Sequence, residues 1–173
     1  NPQTLGEIYA YGLRNPQRFG WDPKDGRLFL AEIGQNIVEE LDLVTAGANL
    51  GWNAWEASFR FIDRTHIDLN QRRADAKVTF PIVEFDHRDP LFGNNVAVTG
   101  IGVYRGTAVP QLSNKVLFGD NPSGEVFYID ADRVPNGGQD AIRRVLFGSG
   151  TSAKTLLQLI KGKNAAQKRP AAD

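Results

Sequence analysis

The amino-acid sequence predicts an all-β fold. Its 18 glycines and 9 prolines separate short apolar runs rich in valine, isoleucine, phenylalanine and tyrosine, a pattern typical of strands joined by turns. With 41% hydrophobic residues among 173 positions, the chain has enough apolar side chains for the core of one ordinary domain. Short strands in series are typical of a sandwich, a barrel or a propeller.

The composition argues against several kinds of partner and site. Lysine plus arginine and aspartate plus glutamate number 20 each, so no long-range field attracts nucleic acid or an anionic membrane. The absence of cysteine excludes disulfides, thiolate metal sites and cysteine nucleophiles. No apolar run approaches the roughly 20 residues that span a bilayer. We therefore expect no nucleic-acid partner and no membrane partner.

The clearest strands lie in the first third of the chain. Residues 18–22 and 27–33 form two predicted strands, and the Asp25-Gly26 turn between them supplies the positive φ angle that a tight turn needs. A third strand over 39–44 places Leu41 and Leu43 on one face, because successive residues of a strand alternate.

The remaining pattern predicts further strands, a long connection and a helix. A second hairpin, around Gly124, resembles the one around Gly26 and follows it by about 98 positions, which fits about two propeller blades. Residues 58–77 are polar without clean alternation and are interpreted as a long connection. Helical spacing over 154–163 predicts a short helix, with Thr151 or Ser152 as its cap. The other predicted strands are 9–13, 80–85, 100–105, 115–119, 125–130 and 142–147.

Three motifs in order resemble one protein family. They are GLRNPQ at 12–17, EIGQN at 32–36 and AGANLGW at 46–52. Together they resemble the central signature of the soluble quinone-dependent sugar dehydrogenases, the glucose/sorbosone dehydrogenase family. Segments 80–85, 97–106 and 115–120 resemble later strands of that family, so the resemblance extends to about Phe147.

The resemblance implies a particular fold. Family members are six-bladed β-propellers with four-stranded antiparallel blades, so this chain is expected to be a partial propeller of about three blades. Residues 1–150 would form the blades, and residues 151–173 a short C-terminal helix and a mobile tail. A partial propeller leaves apolar blade faces exposed, so we expect the missing half of the propeller, or a second copy of the chain, as a partner. Family habit implies a periplasmic or secreted protein.

The resemblance also implies two cofactors, pyrroloquinoline quinone (PQQ) and calcium. Arg14, Asn15 and Thr99 fall at cofactor-binding positions; a guanidinium suits the carboxylates of the quinone, and an asparagine amide can bond to a quinone oxygen. Gly34 and Gln35 match the residues whose main-chain carbonyls bind calcium, a hard ion that accepts such oxygens. Without the resemblance, Arg14 and Asn15 could simply form a turn before a proline, and Gly34 and Gln35 an ordinary loop.

Two neighbouring acids follow these residues in the sequence. Glu39 and Glu40 could support the calcium ligands from behind. Alternatively, one of the two carboxylates is solvated and the other is paired, as is common for adjacent acids.

No catalytic residue is predicted in this chain. The family's general base is a histidine that lies upstream of the matched region, and His66 and His87 match no catalytic position. The segment 120–124 lacks the lysine that some family members present to the quinone. Arg143 and Arg144 are adjacent, so they cannot both face a cofactor from one strand.

Two functions from different classes remain. The first is part of a quinone- and calcium-dependent sugar dehydrogenase that oxidises aldoses or related sugars, with this chain inactive alone. The alternative is a non-catalytic β-propeller module that binds a protein or a glycan.

Overall fold

The computed structural model describes residues 5–93, 96–148 and 152–167, and it is almost entirely β. The all-β prediction is confirmed. The 3₁₀ turn is Pro110–Leu112, and the helix is α1 (Leu156–Ala166). The strands are β1 (Pro16–Trp21), β2 (Leu28–Glu32), β3 (Val38–Val44), β4 (Trp55–Glu56), β5 (Phe59–Asp63), β6 (His66–Arg72), β7 (Val83–Asp86), β8 (Val98–Tyr104), β9 (Lys115–Asp120), β10 (Val126–Asp130) and β11 (Arg143–Arg144).

The strands form three antiparallel sheets. Sheet 1 has the order β1-β2-β3-β7, and sheet 2 has the order β8-β9-β10-β11. Both therefore have the four antiparallel strands of a propeller blade. The third sheet, β4-β5-β6, has three strands and lies in the sequence between β3 and β7, so we name it the inserted sheet.

The two similar hairpins have the same turn chemistry. Asp22 Oδ1 accepts a hydrogen bond from the Lys24 amide at 3.0 Å, and Gly26 has a φ of 74°. Asp120 Oδ2 accepts from the Ser123 amide at 2.9 Å, and Gly124 has a φ of 66°. The first turn joins β1 to β2, whereas the second joins β9 to β10, which are the middle strands of sheet 2. Their spacing therefore does not measure the repeat of a blade, as the sequence had suggested.

One core joins sheets 1 and 2. The rings of Phe85 in sheet 1 and Phe92 stack at 4.1 Å, and Phe92 lies 4.3 Å from Phe127 in sheet 2. Phe29 and Leu41 on the same face of sheet 1 are fully buried. Each such side chain stabilises the contact by roughly 1.5–3 kcal/mol, so the two sheets are held together by a shared apolar core.

The other face of sheet 1 is covered only in part. Leu28 and Leu30 pack with residues of the 44–50 segment and with Ala10 and Leu13. On the same face at the edge strand β1, Phe19 is 63% exposed and Trp21 is 52% exposed. The expected exposed apolar surface is therefore present beside β1.

Several predicted boundaries were wrong. Residues 58–77 are not a connection but contain the β5–β6 hairpin, whose strands are largely exposed and rich in charged residues. The predicted strand 9–13 contributes a single bridge, from Tyr11 to Asn49, and the strand predicted at 142–147 is reduced to β11.

The helix is confirmed, but its cap is different. The Thr155 side chain accepts from the Gln158 amide at 3.2 Å and forms a capping box, so the cap is Thr155 and not the predicted Ser152. Thr151 and residues 168–173 of the predicted mobile tail lie outside the described residues. Within the described ranges, no helix has both the length and the apolar character needed to span a membrane.

Candidate functional site

Four of the five predicted cofactor and calcium residues meet at one edge of sheet 1. Pro16 of β1 pairs with Glu32 of β2, so the residues before β1 and those after β2 lie side by side. Arg14 Nε donates to Gln35 Oε1 at 2.9 Å, and Arg14 Nη1 donates to the Ile33 carbonyl at 3.0 Å. The hairpin register thus brings Arg14 and Gln35 together across 21 positions of sequence.

A buried carboxylate holds the turn that carries Arg14 and Asn15. Glu32 is 1% exposed, and its Oε1 accepts from the Asn15 amide at 2.8 Å and from the Arg14 amide. Burial raises the pKa of Glu32, and the two backbone donors oppose that rise. Glu32 therefore orients this turn, a role that the sequence analysis did not assign.

Arg14 keeps part of its guanidinium available. Its Nε and Nη1 atoms are occupied, and its charge lies 5.8 Å from the centre of the Trp52 ring. Within the described residues, Nη2 of Arg14 makes no hydrogen bond. A preorganised guanidinium with a free nitrogen can bind a carboxylate of a ligand.

The loop at Gly34 and Gln35 suits a hard cation. A Cβ atom at Gly34 would lie 1.7 Å from the Val38 carbonyl oxygen, so only glycine fits there. In the part of the chain that the structure describes, no donor bonds to the carbonyl oxygen of Gly34 or of Gln35. Free carbonyl oxygens are suitable calcium ligands, so the donor set fits the metal.

Thr99 lies on the neighbouring strand. It is partly buried in β8 beside a bulge at Gly100, whose φ is 60°. The strand packs directly against β1, because a Cβ at Gly20 would lie 3.2 Å from the Ile101 carbonyl. Among residues 5–93 and 96–148, no hydrogen bond joins the Thr99 side chain to Arg14. The structure thus brings four of the five predicted residues together.

A group of three acids lies on the face of sheet 1 that carries Leu28 and Leu30. Carboxylate oxygens of Glu32, Glu40 and Asp42 lie within 4.8 Å of one another, and all three residues are buried. One oxygen of each has no hydrogen-bond partner. Burial, and then repulsion by neighbouring carboxylates, raises the pKa of Glu40 and of Asp42 well above the usual range.

This acidic cluster could hold a cation. Glu40 was predicted to support the calcium ligands, whereas no role was predicted for Glu32 or Asp42. Glu40 and Asp42 lie two positions apart in one strand, so both carboxylates are on one face of it. This spacing, in a strand whose other face is apolar, was the available signal.

The histidines take no part in the Arg14 site. His66 is exposed and bonds to Asp63 at 2.9 Å. His87 Nε2 lies 2.8 Å from Oε1 of the buried Glu39, whose other oxygen accepts from the Val98 amide at 2.8 Å. Both histidines line a cleft of about 600 Å³ beside the β5–β6 hairpin, and none of the five predicted residues lines it.

Arg143 and Arg144, near the end of the β region, bond to backbone carbonyls. Arg143 Nη1 donates to the Asp140 carbonyl at 2.7 Å, and Arg144 Nη2 donates to the Leu91 carbonyl. Arg143 is exposed and Arg144 is partly buried, as expected for neighbours on opposite faces of a strand.

Comparison with known proteins establishes the family. The family model described as glucose/sorbosone dehydrogenase matches residues 1–146. The chain belongs to the glucose/sorbosone dehydrogenase family. Two relatives illustrate the range of this family: the HIPL2 protein of Arabidopsis thaliana is 32% identical over 122 residues, which cover 69% of the chain and 17% of that protein. The aldose sugar dehydrogenase YliI of Escherichia coli (strain K12) is 24% identical over 139 residues, which cover 77% of the chain and 34% of that protein.

A solved structure supports the fold. The PQQ-bound aldose sugar dehydrogenase of Streptomyces coelicolor superposes with a TM-score of 0.56 at 20% identity, over 80% of this chain and 32% of that one. The chain therefore spans about a third or less of the length of these three proteins. Together with its two four-stranded sheets, the superposition confirms the predicted partial propeller architecture.

Proposed function

We propose that this chain forms part of the PQQ and calcium site of a sugar dehydrogenase. The observation that carries the proposal is the bonding of the Arg14 guanidinium to the Gln35 side chain and the Ile33 carbonyl, in the loop whose Gly34 and Gln35 carbonyls accept no hydrogen bond from the described residues. A cation at those carbonyls and a guanidinium beside them would hold a polycarboxylate quinone from two sides. Asn15, fixed by Glu32, and Thr99 on the adjacent strand would add polar contacts.

The role of this chain in the reaction is to bind and orient. When bound, PQQ supplies the acceptor for the hydride that an aldose or related sugar loses at its C1 carbon. Gln35 and the Ile33 carbonyl hold Arg14 in place, so little side-chain entropy is lost on binding. No residue of this chain is assigned to the proton transfer, so the chain alone would be inactive.

The proposal also concerns the partner of this chain and the location of the protein. The exposed rings of Phe19 and Trp21 would pack against further propeller blades or a second copy, because large apolar patches favour association. The protein would be periplasmic or secreted, as the family resemblance implies.

A binding module without redox chemistry is the second candidate. It is favoured by the 600 Å³ cleft beside the β5–β6 hairpin, which none of the five predicted residues lines. It is favoured also by Arg143 and Arg144, whose guanidinium groups bond to backbone carbonyls near the end of sheet 2. Such a module would recognise a protein or a glycan through its loops.

Titration of PQQ, followed by its absorbance in saturating calcium, separates the two candidates. We expect saturable binding by the wild type and binding about 10- to 150-fold weaker in Arg14→Met, since a hydrogen bond to a charged group contributes about 1.5–3 kcal/mol. The matched control is Arg18→Met, which removes an exposed arginine whose one hydrogen bond among the described residues is to the Gln17 carbonyl. Absence of binding by the wild type would leave the binding-module function.

A further inference from the structure

One buried carboxylate of the inserted sheet binds the loop that carries Gly34 and Gln35. Glu56, in β4, is 2% exposed. Its Oε1 atom accepts hydrogen bonds from four successive backbone amides at 3.0–3.3 Å, those of residues 35–38. A concave run of amides is a ready anion site, and here the anion is a side chain of the protein itself.

These bonds determine where two carbonyls point. In a planar trans peptide the N–H of one residue and the C=O of the preceding residue point in opposite directions. The amides of Gln35 and Asn36 point at Glu56, so the carbonyls of Gly34 and Gln35 point away from it. Those are the two oxygens that accept no hydrogen bond from the described residues.

The charge of Glu56 also strengthens these oxygens as ligands. An amide that donates to a carboxylate is polarised, and the polarisation increases the negative charge on the carbonyl of the same peptide group. Bonds to an ionised acceptor are also stronger than neutral ones, so the loop is held firmly. A hard cation binds best to oxygens that are both fixed and polarised.

We propose that Glu56 is a positioning residue that presents the Gly34 and Gln35 carbonyls to calcium. The inference rests on the proposed function and adds a role for the inserted sheet. That sheet holds Glu56 through the pairing of β4 with β5, and the ring of the preceding Trp55 contacts Phe80 edge-on at 5.1 Å. The inserted sheet follows β3 in the sequence, and it thus places the Glu56 carboxylate against the loop that precedes β3.

The test is calorimetric titration of calcium chloride into the full chain without quinone. Residues that orient metal ligands typically change metal affinity by about 10- to 100-fold when replaced, and we expect that loss for Glu56→Ala. Glu56→Gln keeps an oxygen acceptor but not the charge, so its affinity should fall between those of wild type and Glu56→Ala. The matched control is Asp89→Asn, which alters another buried carboxylate that bonds to a loop amide, that of Leu91.

Amide hydrogen exchange gives a second measurement that needs no metal. In calcium-free buffer, the amides of residues 35–38 should exchange faster in Glu56→Ala than in the wild type, while those of β9 and β10 should not change. If the alanine variant does not fold, Glu56→Gln carries both measurements.

The outcomes are distinct. Equal calcium affinity in wild type and both Glu56 variants would overturn the inference and leave the proposed function standing. Unchanged exchange at residues 35–38 would also overturn it. Absence of calcium binding by the wild type would overturn both proposals.

Discussion

Replacing Arg105 with methionine should weaken the contact between sheets 1 and 2. Arg105 directly follows β8, and its Nε donates at 2.9 Å to Oδ1 of Asp22, which lies in the turn after β1. A second guanidinium nitrogen bonds to Oδ2, so the pair is bidentate. The Asp22 side chain is fully buried and that of Arg105 is 11% exposed. The pair is therefore largely shielded from solvent and links the two sheets.

The expected magnitude follows from the pKa of Asp22. The hydrogen bond from Arg105 is the main cause that lowers this pKa from 3.8 to about 2. At 1.36 kcal/mol per pH unit, that difference corresponds to about 2.5 kcal/mol of stability at neutral pH. Removing one partner of a buried pair costs about 3–5 kcal/mol, but Arg27 remains 3.3 Å from Asp22. We therefore expect Arg105→Met to lose about 2–3 kcal/mol.

Urea denaturation at several pH values tests this expectation. A lowered pKa in the folded state gives stability that is present above about pH 4 and is lost as the pH falls toward 2. The difference between wild type and Arg105→Met should therefore shrink over that window. Lys115→Met, which breaks a partly exposed pair within sheet 2, should cost less than about 1 kcal/mol. A loss below 0.5 kcal/mol (about one RT) for Arg105→Met, or a difference independent of pH, would refute the reasoning.

Two further predictions concern the edge of sheet 1. The raised pKa of Asp42 means that its contribution to stability falls as the pH rises, so Asp42→Asn should stabilise the calcium-free chain more at pH 8 than at pH 5. Two charges 4.8 Å apart repel by about 3.5 kcal/mol at an effective dielectric constant of about 20, and the wild type avoids part of this by holding a proton. Thermal melts should thus show a gain of about 1–2 kcal/mol at the higher pH, and a loss there would contradict the account. Gly34→Ala should lower calcium affinity at least about 10-fold, because its methyl group would displace the Val38 carbonyl. Gly102→Ala, which meets nothing within 4 Å, is its control in calorimetry, and equal affinities in the two variants would contradict the role of the loop.

Much of the fold could be predicted from local pattern. Strands β2, β3, β9 and β10 lie close to their predicted positions, since each is next to a turn or alternates apolar side chains. The inserted sheet was not predicted in this way. Apolar residues do alternate with polar ones in β5 (Phe59, Phe61) and in β6 (Ile67, Leu69), but the charged residues around them make the segment polar overall, as in a connection. The pairing of β7 with β3 spans the whole insertion, and local sequence carries no signal for it.

The same distinction applies to the site. The meeting of Arg14 with Gln35 follows from one hairpin register, which the motif and the turn at Gly26 together indicate. Glu56 approaches the 35–38 loop only because the inserted sheet folds back onto sheet 1. The position of Thr99 similarly depends on how sheet 2 packs against sheet 1. Contacts between separate sheets are determined by tertiary packing, which residue patterns do not specify.

The most direct test of the account is a crystal structure of the protein grown with calcium chloride and PQQ. The account predicts a calcium ion about 2.3–2.6 Å from the carbonyl oxygens of Gly34 and Gln35, with the quinone in contact with Arg14. A structure with the quinone bound away from Arg14, or with those carbonyls unbound while calcium occupies another place, would contradict it.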